Sequence, residues 1–184
     1  MIRIIIYIVP VLWLFSSCEG DYDITYNITG LDVAHAENTG DVPVENTLDS
    51  IPGIAYAIRL HLFPVEISRS GRYLDRETPP SNSNPPDSIH VTCNKDFNAS
   101  YVAGSLLNDL FLVYNHSYFN VNTLDNIYFT NQYYEDYYDQ PIPEFADLLL
   151  IESPGLSQDF KFYVSLYLRD GTVFVDSTIN IHLY

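Results

Sequence analysis

Beyond residue 22, apolar and polar residues alternate with period two along much of the chain. Asp23 to Val33 reads DITYNITGLDV, with Ile24, Tyr26 and Ile28 on one side and Thr25, Asn27 and Thr29 on the other. Successive side chains of a strand point to opposite faces, so this predicts a half-buried first strand. Gly53 to Ser68 predicts a second. Ile54, Tyr56, Ile58, Leu60 and Leu62 share a face, Arg59 and His61 take the other, and Pro64 implies a break or a sheet edge. Ile89, Val91 and Cys93 mark another strand, followed by Phe111 to Phe119 and by the short apolar run Ala146 to Ile151. The clearest pattern closes the chain. Phe160, Phe162, Val164, Leu166 and Leu168 alternate with Lys161, Tyr163, Ser165 and Tyr167, and Asp170-Gly171 then predicts a type I′ hairpin turn. Val173, Val175, Ile179, Ile181 and Leu183 return in two phases. The slip between them, at Asp176 to Thr178, predicts a bulge or kink.

Three stretches lack this alternation. Ala34 to Ser50 is polar and patternless and predicts a long loop. Arg69 to Pro86 holds four prolines and predicts a loop without regular structure. Asn94 to Phe111 spaces Leu106, Leu107, Leu110 and Phe111 as a short helix or irregular turn would. Strands at intervals with Pro- and Gly-marked turns, and 16 Tyr and 10 Phe as strand formers, predict an all-β fold. The expected architecture is an immunoglobulin-like antiparallel β-sandwich, one domain over 23–184, with one short helical or irregular insertion.

The first 17 residues have a different pattern. Arg3 is followed by an apolar run from Ile4 to Phe15, broken by Pro10. Twelve residues of helix reach roughly 18 Å, short of a bilayer core of about 30 Å, so residues 1–17 predict an export signal and not a membrane span. Ser16 and Ser17 before Cys18 resemble a lipobox, with Phe15 where Leu is usual and Leu14 beside it. That resemblance implies cleavage before Cys18, acylation of its thiol, and a short tether over 18–22. Glu19, Asp21 and Asp23 resemble the acidic signal that sends Bacteroidota lipoproteins to the cell surface. The expected address is the outer membrane, lipid-anchored and facing the exterior. With Cys18 acylated, Cys93 has no disulfide partner and reads as a small buried hydrophobe.

Charge narrows the function. The net charge of −16 argues against nucleic acid as a partner, because phosphate contacts need clustered Lys and Arg. Arg59, Arg69, Arg72 and Arg76 are the local concentration of positive charge and read as a solvated loop. None of the five histidines stands at a metal-ligand spacing, and no nucleophile elbow or phosphate loop is present. A Cys93–His90 pair fails because residues three apart in a strand face opposite ways. No catalytic residue, metal or cofactor is predicted.

Tyr133 to Asp139 (YYEDYYD) is the most unusual local stretch. Glu135, Asp136 and Asp139 offer oxygen ligands for Ca²⁺ without matching an EF-hand spacing. Tyr133, Tyr134, Tyr137 and Tyr138 offer an aromatic contact surface, or a cover for one end of the sandwich. The tripeptides at Asp49, Asp87 and Asp176 resemble the O-glycosylation signal of exported Bacteroidota proteins, with Ser50, Ser88 and Ser177 as acceptors.

The lipobox, the segment from Asp96 to Phe111 with its DFN and AGSLLND, and the terminal F-x-V-x-L-x-L hairpin resemble small Bacteroidota lipoproteins with an immunoglobulin-like domain. These motifs are structural and imply no catalytic residue. The expected role is a non-enzymatic binding or structural module of the envelope, anchored in the membrane through Cys18, with a glycan or protein as partner. The alternative is an accessory subunit of a polysaccharide-uptake or pilus-like surface assembly.

Overall fold

The computed structural model describes residues 23–70, 81–115, 117–120 and 145–184. The first strand, β1 (Asp23–Glu37), is followed by two short ones, β2 (Val44–Glu45) and β3 (Ser50–Ile51), and by the long β4 (Tyr56–Ser70). β1 and β4 form an antiparallel ribbon from Asp23 opposite Ser70 to Glu37 opposite Tyr56. The register slips between Ile28 and Leu31. Before the slip Ile24, Tyr26 and Ile28 are buried, and after it Val33 and His35 are. The bulge thus exchanges the buried phase of the strand. Gly30 lies within it, where a Cβ would come 2.9 Å from Cδ2 of Phe63.

Tyr56, Ile58, Leu60 and Leu62 are buried on one face, as their alternation predicts. Ile54 is a correction. Gly53–Ala55 forms a single 3₁₀ turn before β4 begins, which turns Ile54 outward and buries Ala55. Pro64 does not end the strand. β9 (Phe145–Leu150) pairs with β4 from Ala57 to His61, so among the described residues Pro64 lies beyond it on an edge, a position that tolerates Pro.

β5 (Ser81–Asn82) brings a short strand into the stretch expected to be loop, and β6 (Pro86–Cys93) contains the strand expected at Ile89 to Cys93 and begins three residues before it. The expected strand Phe111 to Phe119 is instead an antiparallel pair, β7 (Phe111–Asn115) and β8 (Ser117–Asn120). The rest are β10 (Gln158–Phe160), β11 (Phe162–Leu168), β12 (Val173–Ser177) and β13 (Ile181–Leu183). One sheet runs β2-β1-β4-β9-β7-β8, with β5 also on β1, and packs against two smaller sheets, β10-β13-β3 and β12-β11-β6. This is an all-β sandwich. Its core joins Tyr56, Ile58, Leu60, Phe111 and Leu148 of the large sheet to Val91, Phe160, Phe162, Leu166 and Leu183 of the small ones. Phe162 is the hub, stacked on Tyr56 at 5.1 Å and edge-on to Phe111 at 6.1 Å. Each such buried side chain contributes about 1.5–3 kcal/mol.

The phase slip near the C-terminus is a change of sheet. β12 pairs with β11, whereas β13 pairs with β10 and β3. Thr178 holds the crossing, its N–H donating to Phe162 O and its Oγ1 accepting from Phe162 N–H, both at 3.0 Å. The hairpin turn is also not of type I′. Gly171 N–H donates to Leu168 O at 2.9 Å and Leu168 N–H to Thr172 O at 2.8 Å, which makes a three-residue loop with Gly171 at φ +89°. A type I turn followed by a left-handed residue gives this form.

The insertion 94–110 is irregular and ends in a 3₁₀ turn, Asn108–Leu110. Asn108 is buried and extends the ladder at the side of β6 away from β11. Its Oδ1 accepts from Val91 N–H at 3.0 Å and its Nδ2 donates to Ile89 O at 2.7 Å. At the other flank Asp176 Oδ2 accepts from Val33 N–H at 2.9 Å, joining β12 to β1. Two side chains thus seal the seams between sheets.

Candidate functional site

β1 enters at Asp23, opposite Ser70. The strands fix what lies at the far end: the 3₁₀ turn 53–55, the first part of the insertion, the loop after β9, and Tyr184. These segments are tied together. Gly53 N–H donates to Tyr184 O at 2.8 Å, Gly155 N–H to Phe97 O at 2.8 Å, and Asn98 Nδ2 to Glu152 Oε1 at 3.0 Å. Gly53 is required by packing, since a Cβ would fall 2.7 Å from Cδ of Pro154.

Local chemistry explains the loop fold. Phe97 is fully buried against Phe160, with ring centroids 5.6 Å apart. On either side of it, Asp96 Oδ1 accepts from Ala103 N–H and Asn98 Oδ1 from Ser100 N–H, both at 2.8 Å. The polar neighbours satisfy the loop backbone while the ring anchors it. On this braced frame Ile54 is 74% exposed, Leu156 72% and Tyr184 60%, with Ile151 and Val102 also exposed. Single exposed apolar residues are ordinary, but a group of them on one tied set of loops is the form a docking surface takes.

Beside it, β10 and β13 place three polar side chains in a chain. Asp159 pairs with His182 across the ladder, and Ser157 precedes Asp159 by two residues. Asp159 Oδ1 lies 2.7 Å from His182 Nδ1, and Ser157 Oγ lies 3.0 Å from His182 Nε2. The carboxylate fixes the proton on Nδ1, so Nε2 accepts from the Ser157 hydroxyl. Sequence reasoning missed this order, because 25 residues separate Ser157 from His182. The order is that of a hydrolase triad, but Asp159 is 66% exposed and His182 42%. Water competes for each bond there, whereas a triad relies on a buried carboxylate and a water-excluded oxyanion site. The geometry orients a surface hydroxyl and gives a polar rim to the apolar group.

The other predicted residues are dispersed. Cys93 is buried, its Sγ donating to Lys95 O at 3.0 Å, and burial raises its pKa, which favours the unreactive thiol. His90 is exposed on the opposite face, against the Tyr167 ring. The arginines correct the loop reading. Arg59 makes a two-pronged pair with the buried Asp147, both bonds at 2.8 Å, and Arg69 pairs with Glu66. Ser50 is exposed in β3, while Ser88 and Ser177 are half-buried and paired opposite Tyr167 and Tyr163. Among the described residues no three His, Cys, Asp or Glu side chains gather as a metal site, and no helix is long and apolar enough to cross a membrane. Cys18, Arg72, Arg76 and the stretch with Tyr133, Tyr134, Glu135, Asp136, Tyr137, Tyr138 and Asp139 lie outside the described residues. Comparisons with protein-family models, curated proteins and solved structures returned no match.

Proposed function

We propose that this chain is a lipid-anchored protein of the outer membrane that works as a non-enzymatic binding module. Acylated Cys18 holds it, and its loop end takes a protein or glycan partner outside the cell. The observation that carries the reading is the placement of exposed Ile54, Leu156 and Tyr184 on hydrogen-bonded loops at the end away from Asp23. A tether that enters at one end of a sandwich leaves the other free to meet a partner. Tyr184 brings apolar area with a polar tip, and Ser157, Asp159 and His182 supply hydrogen-bonding groups at the edge.

The test is a glycan array and an envelope pull-down with the lipidated protein in detergent. Saturable binding that is lost in an Ile54→Asp/Leu156→Asp variant is the expected result. Binding lost on replacing Tyr133, Tyr134, Tyr137 and Tyr138 by Ala, but kept in the first variant, would move the site to the Tyr-rich stretch. Recovery of a multi-subunit surface complex without glycan binding would favour an accessory subunit. Absence of any partner in both formats would sink the module reading.

A further inference from the structure

We infer that the tether end of the β1/β4 ribbon is a membrane-facing foot, with Phe63, Val65 and Ile67 resting in the headgroup interface. The inference rests on the lipid anchor proposed above and adds a second contact between the domain and the bilayer. β9 leaves β4 at His61, so among the described residues the ribbon beyond it consists of β1 and β4 with β5 alone. Its buried face carries Ile24, Tyr26 and Ile28. Along the same length of β4, Phe63, Val65 and Ile67 are each more than half exposed. Phe63 and Val65 share a face of β4. Ile67 follows at a second register slip, where the pairing passes from Glu66 opposite Tyr26 to Ser68 opposite Thr25. Three large apolar side chains exposed within five residues mark an interaction surface.

The position of this surface selects its occupant. Asp23 pairs with Ser70, so the chain enters the domain at the tip of this ribbon. Five residue steps lead from Cys18 to Asp23 and span at most roughly 17 Å. At about 3.4 Å per residue, Ile67 lies roughly 10 Å and Val65 roughly 17 Å down the strand from Ser70. Both fall within reach of a bilayer that holds the acyl chains. Pro64 offers no N–H for an added strand, and Glu66 and Arg69 put an ion pair nearby, so pairing with a second copy along this edge is disfavoured. The acidic chain (24 Asp and Glu against 8 Lys and Arg) is repelled by anionic surfaces, which selects a zwitterionic interface entered by apolar side chains.

The test uses the full chain, processed in cells, purified and reconstituted into phosphatidylcholine vesicles with plain or brominated acyl chains. The one Trp, Trp13, falls in the signal, so an introduced Trp reports alone once the signal is removed. An Ile67→Trp variant should lose most of its emission in brominated vesicles, while a Leu156→Trp variant, at the opposite end, should keep it. Both positions are exposed, so neither change disturbs the core. If the protein floats with the vesicles and Ile67→Trp is not quenched, the foot is refuted and the anchor stands. The foot is equally refuted if Ile67→Trp shows buried, blue-shifted emission in detergent without lipid, because the chain or a second copy then covers this surface. An intact mass without acyl chains, with no flotation, would overturn the anchor and the foot together.

Discussion

At the scale of single residues, two buried polar side chains hold the sandwich in register. Asn108 imitates a strand at the edge of β6, filling one acceptor and one donor role that a neighbouring backbone would fill. Asn108→Ala leaves Val91 N–H and Ile89 C=O buried without those partners, at a cost of about 2–4 kcal/mol. Urea denaturation should show the midpoint fall with little change in slope, and a loss below about 1 kcal/mol would reject the role. His35 is the second. It is 3% exposed, with Nδ1 2.9 Å from the Tyr56 hydroxyl and Nε2 3.2 Å from Ile179 O. Nε2 carries the proton to the carbonyl, and Nδ1 accepts from the Tyr56 hydroxyl. Burial lowers the His35 pKa, because the charged form loses its hydration, and the bond to Ile179 O offsets this in part. The unfolded chain therefore binds the proton more readily. This contribution to stability is present above the unfolded His value of about 6.5 and is lost as pH falls from there through the folded pKa. Denaturation midpoints measured from pH 7.5 down to pH 5 should decline, and His35→Asn should flatten that decline. An equal decline in both proteins would clear His35 of the effect.

At the scale of elements, what was legible is the alternation and what was not is the partner. The runs around Tyr56 to Leu62 and Phe160 to Leu168 announce their buried faces because each packs one face on the core. Ile54 continues the first run in sequence and not in space, because a 3₁₀ turn intervenes. The phase slip after Val175 is visible in the chain, but a bulge and a change of sheet leave the same mark. Burial of polar His35 and Asn108 and the pairing of Ser157 with His182 depend on distant strands, so local pattern is blind to them. Asp170-Gly171 shows the same division. It marks the hairpin, and the hydrogen bonds then reveal three loop residues instead of two. Asp170 Oδ1 also accepts from Thr172 N–H at 2.8 Å, which draws its pKa down. Gly171 at φ +89° has open space around it, so replacement acts through backbone strain alone. Gly171→Ala should cost about 1–2 kcal/mol, and Gly171→Asn less, since Asn tolerates the left-handed region. Equal stability of both variants in thermal melts would contradict that conformation.

At the scale of the whole molecule, the ribbon separates two ends. Fifteen residues of β1 span roughly 50 Å, so the partner surface proposed at the loop end stands well away from the membrane proposed at Asp23. The Ser157–His182–Asp159 chain lies toward that outer end, and it offers a direct challenge to a non-enzymatic role. If catalysis were its purpose, Ser157 would be a nucleophile and would react with a fluorophosphonate. In an open setting, Asp159 and His182 are solvated, so the electrostatic gain that would drive proton removal from Ser157 is screened. Ser157 should label no faster than other surface serines, and His182→Ala should leave that labelling unchanged. The same substitution should weaken partner binding if the polar rim contributes to it. Selective labelling of Ser157, abolished in His182→Ala, would replace a binding module with a hydrolase, and the apolar group of Ile54, Leu156 and Tyr184 would then become its substrate-facing surface.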